Sequence, residues 1–240
     1  MRRVMAGLGL ILLVAGAGRA EAGGVDLRIG GFFPQMRDCG VSAERPEYTL
    51  FRDVCDFFFV GKGDFDGVYG GIEYNQVLMD YVEVGVHYDY YSRTIDTSYR
   101  DWTRPDDSEI RQSLRLRVAP LGVTVRFLPT SKRAKLVPYV GGGVDALFYK
   151  YEEWGDFIDF FDPELPIVAD HFVADSTAFG VHALGGLRVY LNRDIAVVGE
   201  GRYQWGADDM GDDFAPNEPG LVNRIDLSGW TFTVGVHVRF

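Results

Sequence analysis

The chain alternates without a break to its last residue. Trp230, Phe232, Val234, Val236, Val238 and Phe240 take one parity, and Thr231, Thr233, Gly235, His237 and Arg239 take the other. Successive side chains of a strand point to opposite faces, so such a run has one apolar and one polar face. A helix of 3.6-residue period would scatter both sets around its axis. Eight segments read this way, near 25–33, 66–75, 80–92, 113–128, 136–150, 177–191, 194–206 and 226–240. Short connections at 76–79, 129–135 and 192–193 alternate with long ones at 34–65, 93–112, 151–176 and 207–225. The expected fold is therefore all-β and antiparallel.

The N-terminus reads as an export signal. Arg2 and Arg3 precede an apolar run from Val4 to Gly18, and Ala20-Glu21-Ala22 fits a small-x-small cleavage site. Residues 1–22 are expected to be a cleaved signal peptide and residues 23–240 the barrel domain. No later apolar run is long enough for a transmembrane helix, which leaves strands as the only means of crossing a bilayer. A formal net charge of -11 makes nucleic acid an unsuitable partner. Export into an oxidising compartment makes Cys39 and Cys55 a disulfide pair, contributing roughly 3 kcal/mol by the chain-entropy argument.

An alternating terminal strand that ends on an aromatic residue, Phe240, resembles the ending of bacterial outer-membrane barrels. The segment Pro138-Tyr139-Val140-Gly141-Gly142-Gly143-Val144 resembles a strand start common in the small OmpA-, OmpX- and OmpW-like barrels. This resemblance implies an eight-stranded antiparallel transmembrane up-and-down β-barrel in the outer membrane of a Gram-negative-type bacterium. It implies that Phe240 is an assembly signal read by the barrel-assembly machinery. It also implies outer-membrane lipids and lipopolysaccharide as partners.

Taking the apolar parity as lipid-facing assigns Val82, Val84, Val86, Tyr88, Phe179, Val181, Ile195 and Val197 to lipid. It puts Tyr74, Tyr81, Tyr90, Phe127, Trp205, Trp230 and Phe240 in aromatic girdles. The opposite parity gives a charged lumen. Its acids are Asp26, Glu73, Glu83, Asp89, Asp145 and Glu200, and its bases are Arg28, Arg115, Arg117, Arg126, Arg188, Arg202 and Arg239. Six acids against seven arginines is close to balance, and an eight-stranded interior is filled by its own side chains. The expectation is an ion-paired core without an open pore. Between Val118 and Leu121 the apolar parity shifts, and a bulge at Ala119-Pro120 is expected there.

Candidate chemistry is sparse. His87, His182 and His237 share the lumen parity, but their places along their strands argue for separate depths and no metal site. His171 beside Asp170 and Asp175 lacks the spacing of a coordination sphere. Ser113 and Ser176 have no evident histidine base, so no catalytic residue and no cofactor are expected. The segments 151–176 and 207–225 are acidic. They hold Glu152, Glu153, Asp156, Asp159, Asp162, Glu164, Asp170 and Asp175, then Asp208, Asp209, Asp212, Asp213 and Glu218. Such loops could bind divalent cations. Phe157, Phe160 and Phe161 in the first imply that it folds over the barrel mouth. Lys132, Arg133 and Lys135 lie in a turn where they could meet anionic headgroups on the periplasmic side. The leading reading is a non-enzymatic barrel that stabilises the envelope or binds partners through acidic outer loops. Two readings stand beside it: a narrow passive channel for small hydrophobic solutes, and a lipid-modifying enzyme.

Overall fold

Each alternating segment forms a strand, and the strands close on themselves. The structure, a computed structural model, describes residues 21–37, 39–40, 48–130, 134–160, 162–210, 214 and 223–240. The expected signal segment up to residue 20, and Lys132 and Arg133, lie outside these. The barrel strands are β1 (Glu21–Pro34), β3 (Gly67–Met79), β4 (Val82–Thr103), β5 (Glu109–Phe127), β6 (Leu136–Ile158), β7 (Ile167–Tyr190), β8 (Ile195–Asp209) and β10 (Gly229–Arg239). Each pairs antiparallel with its neighbour, and β10 pairs with both β8 and β1 to close an eight-stranded ring. Two short strands, β2 (Tyr48–Thr49) and β9 (Asn223–Asp226), and one helix, α1 (Leu50–Phe57), sit at the end where the long connections lie.

Strands β4 to β7 are much longer than the alternation predicts. The expected loops 93–112 and 151–176 are mostly strand, leaving turns only at 104–108 and 159–166. The expected bulge at Ala119-Pro120 is absent, because the β5–β6 register runs from Gln112↔Gly155 to Phe127↔Val140 without a shift. Side chains keep their direction through Pro120, and what changes is the medium outside. Below it, Leu121, Val123, Val125 and Phe127 point outward, while Thr124 and Arg126 are buried inside. Above it, Leu114, Leu116 and Val118 are buried inside, while Ser113, Arg115 and Arg117 point outward. The barrel thus has two storeys of opposite polarity. A polar interior with an apolar exterior suits lipid, and an apolar interior with a polar exterior suits water.

The lower storey carries the outward apolar band. Leu27, Ile29, Ile72, Val125, Val140, Val144, Phe232, Val234 and Val236 all stand exposed on it. Girdle aromatics pair at one edge, Tyr74 with Phe240 and Tyr81 with Phe127, each at 6.4 Å between ring centroids. At the other edge Tyr203 packs against Trp205 at 4.5 Å and Trp230 at 4.9 Å. In water this band would cost about 25 cal/mol per Å², so it defines the membrane-crossing surface. Val234 is 62% exposed near mid-strand. Replacing Val234 by arginine should cost about 2–4 kcal/mol in urea unfolding from vesicles. A cost near zero would place this face in water.

The upper storey is a hydrophobic head standing clear of the bilayer. Its core joins Phe32, Met36, Leu114, Leu116, Val118, Tyr149 and Tyr151 to Leu50, Phe51 and Val54 of α1. The described part of the β1–β3 connection packs over the barrel end and is tied by the disulfide Cys39–Cys55. Tyr91 donates to the Phe65 carbonyl, and Arg100 Nη2 donates to the Cys55 carbonyl at 2.8 Å, fixing that segment to β4.

Candidate functional site

The lower lumen is filled by four arginines and six carboxylates. Arg126 grips Glu73 with both terminal nitrogens, and its Nη2 also lies 3.1 Å from Glu200 Oε2. Its Nη1 donates to Asn75 Oδ1 at 2.6 Å. Arg188 forks onto Glu83 at 2.7 and 2.8 Å and reaches Asp26 at 3.1 Å. The Tyr139 ring lies under both guanidiniums, at 5.2 and 5.3 Å. Arg28 bridges Glu200 at 2.8 Å, Glu73 at 2.9 Å and Asp89 at 3.1 Å. Arg202 holds Glu200 at 3.1 Å and Asp89 at 3.3 Å. Glycines make the room: a Cβ at Gly71 would stand 1.6 Å from Asp89, and one at Gly85 2.1 Å from Glu73.

The structure therefore brings together Glu73, Glu83, Asp89, Arg126, Asp145, Arg188, Glu200 and Arg202, with Asp26 and Arg28. Arg239 stands at the mouth, its guanidinium 4.3 Å from the Tyr190 ring. Arg115 and Arg117 are a correction. They point outward in the upper storey, because the lumen parity of β5 is the even one. Without them the buried core has more acids than arginines, and histidines meet three of the acids, Asp26, Asp89 and Asp145. His237 Nδ1 lies 2.5 Å from Asp26, and His182 Nδ1 lies 2.7 Å from Asp145.

His87 and His182 are not at separate depths. Their rings are 5.3 Å apart, with Thr124 Oγ1 between them at 3.3 and 3.0 Å. Tilted strands carry distant strand positions to one level, which spacing along the chain cannot show. With Asp145 they bring possible metal-ligating atoms within 4.8 Å of one another. A zinc-type ion prefers such ligands. Here Arg202 Nη1 lies 3.0 Å from His87 Nε2, and that fixed positive charge opposes a dication. The His182 nitrogens already face Asp145 and Thr124. The cluster is a hydrogen-bond hub.

At the mouth near the chain termini, Gly24, Asn75, Glu83, Arg188 and His237 line a cavity of about 30 Å³, roomy enough to hold water. The head core covers the other end. The remaining candidate residues disperse. Ser113 donates to Asp96 Oδ1 at 2.6 Å, and His171 lies 3.8 Å from Glu152. The acidic segment 151–176 is a hairpin, with Glu152 and Glu153 on opposite faces as neighbours in β6. It forms no three-ligand cluster among the described residues. Phe157 is buried in the head, and Phe160 packs on Trp102 at 5.7 Å and Phe57 at 6.2 Å. Phe161, Asp212, Asp213 and Glu218 lie outside the described residues. Phe240 is exposed in the girdle, its N–H donating to the Gly23 carbonyl at 2.9 Å.

An eight-stranded ring with a charged interior and an apolar, aromatic-edged exterior defines a small outer-membrane β-barrel, and that membrane is where such a surface belongs. No family model matches the chain. No curated protein matches it either. Among solved structures it is similar to the outer membrane protein OprG of Pseudomonas aeruginosa, with TM-score 0.53 and 11% identity over 93% of this chain and 98% of that one. Neisserial surface protein A gives 0.48 and 12% identity over 93% and 100%. Outer membrane protein W of E. coli gives 0.45 and 15% identity over 92% and 99%.

Proposed function

We infer that this protein is a non-enzymatic, non-conducting barrel that anchors a folded head at the cell surface, where the head stabilises the envelope or binds partners. The observation that carries this reading is the filled interior. Side chains that carry ion pairs close the lower lumen, and an apolar core closes the upper storey. An ion crossing this path would have to separate buried pairs, each held by several hydrogen bonds.

A second reading, passage of small hydrophobic solutes, draws on the barrel wall. The β4–β5 ladder steps from Tyr88↔Leu121 to Tyr91↔Val118, across Ala119-Pro120. Proline lacks the N–H that a ladder bond requires. Planar-bilayer recording and vesicle flux assays on the folded full-length protein separate the two. Silence in both supports the sealed anchor. Discrete conductance steps would overturn it, and saturable flux of an apolar solute without ion conductance would favour the wall route.

A further inference from the structure

The upper storey wears a polar exterior, with Thr94, Asp96 and Ser113 facing out, and one place breaks that rule. Phe58 pairs with Tyr99 and is buried, so Phe57 and Phe59 on either side of it turn outward. Trp102 near the end of β4 also faces out, and Phe160 follows the end of β6. These four aromatics are between 41% and 61% exposed. Phe160 joins the others, its ring 6.2 Å from Phe57 and 5.7 Å from Trp102. Single apolar side chains scattered over a surface need no explanation, but a cluster of aromatic rings in water does.

The patch is held in shape. Arg100 takes the same outward parity as Trp102 and lies 5.8 Å from the Phe59 ring. It donates to the Cys55 and Phe58 carbonyls at 2.8 and 3.2 Å. The Phe59 N–H donates to the Ser98 carbonyl at 3.0 Å, and Thr97 Oγ1 donates to the Phe59 carbonyl at 3.1 Å. A surface fixed in this way loses little freedom when a partner settles on it. Its surroundings are acidic. Asp56, Asp101 and Asp159 directly precede Phe57, Trp102 and Phe160. The stretches that build this face hold four carboxylates to two cations at 50–66, five to four at 93–111 and five to none at 154–171. Of those cations, Arg52, Arg104 and Arg111 already bridge Asp53, Asp156 and Glu109.

Lipid is out of reach of this face. Trp102 stands twelve residues above Tyr90 of the aromatic girdle, which is about 40 Å along the strand. A second copy of the chain would bring the same excess of negative charge against itself. A cationic partner meets complementary charge and apolar surface together. We propose that Phe57, Phe59, Trp102 and Phe160 form a docking site for a basic polypeptide segment that carries apolar side chains. The rings take its apolar side chains and receive its arginine or lysine over their faces. The surrounding carboxylates steer it in. This names the class of partner for the head and rests on the anchored-head reading.

The test uses full-length protein folded in phosphatidylcholine nanodiscs. A library of short random peptides displayed on phage is selected on it and counter-selected on empty nanodiscs, and the selected peptides are synthesised and titrated. They should combine lysine or arginine with aromatic or aliphatic residues. Replacing Phe57, Trp102 and Phe160 together by serine should weaken their binding at least about tenfold. Asp56→Asn with Asp101→Asn and Glu164→Gln should slow association several-fold and flatten its dependence on salt. All six side chains are exposed, and amide exchange of α1 checks that each variant keeps its head. Peptides without a basic excess, equal binding to the serine variant, or no selected peptide at all overturns the proposal. So does a wild-type dimer that the serine variant lacks, which would make a second copy the occupant. The sealed anchor is tested apart from this, by bilayer recording: silence there with no peptide bound sinks the docking site alone.

Discussion

Replacing Arg126 by alanine should cost the barrel about 3–5 kcal/mol, measured by urea unfolding in lipid vesicles. Arg126 is fully buried, and from β5 it reaches Glu73 and Asn75 on β3, Glu83 on β4 and Glu200 on β8. Its removal leaves Glu73 facing only Arg28 and, at 3.7 Å, Arg202. The Tyr139 ring also loses one of the guanidiniums stacked on it. Most of the expected loss is a larger excess of buried carboxylate over arginine charge, so it depends on charge more than on volume. Arg126→Met, which keeps much of the bulk, should therefore be nearly as damaging. Combining Arg126→Met with Glu73→Gln should recover part of the loss, because the excess of buried negative charge is then smaller. If Arg126→Met alone were neutral, the network would not be holding the lower storey together.

In the head, stability should fall as pH rises through neutrality, and Glu153 should be responsible. It lies in the upper storey, above the membrane-crossing rows, and points inward at 8% exposure. Tyr151 donates to its Oε1 at 2.7 Å. Burial pushes its carboxyl up from 4.5 to about 7, with the Tyr151 hydroxyl opposing the shift and Asp53 adding to it. Below about pH 4.5 the folded and unfolded head both keep the proton, and the contribution is constant. As pH rises toward 7, the unfolded head releases its proton while the folded head keeps it, so unfolding gains. Above 7 both are ionised and the loss levels off, at about 3 kcal/mol or less. Amide hydrogen exchange of α1 and the β6–β7 hairpin between about pH 5 and about pH 8 reads this directly. Glu153→Gln keeps an acceptor for Tyr151 and should flatten the dependence. Identical pH profiles for wild type and Glu153→Gln would refute this assignment.

These two residues also show where reading the chain alone succeeds. Arg126 announces itself, since it takes the polar parity of a strand whose other face is Val123, Val125 and Phe127. Glu153 does not, because it sits in a segment whose alternation looks like loop once the apolar parity has swapped. The same swap hides Arg115 and Arg117, whose parity opposes an apolar face and so points to the lumen on sequence alone. Parity says which residues share a face but does not say what lies outside that face. Lipid gives way to water near Pro120, and the label must invert there. His87, Asp145 and His182 were missed as a group for a different reason. Their meeting depends on strand tilt and register across β4, β6 and β7, and no local spacing encodes that.

The sequence by itself determined the strands, their antiparallel order, the apolar face that meets lipid and the pairing of Cys39 with Cys55. Each follows from local period, residue type and compartment. Only the tertiary structure decided how far β4 to β7 rise above the membrane, which charges meet inside and which basic residues face out. Those depend on closure of the ring, because a tilted barrel sets the height of every residue relative to all the others at once.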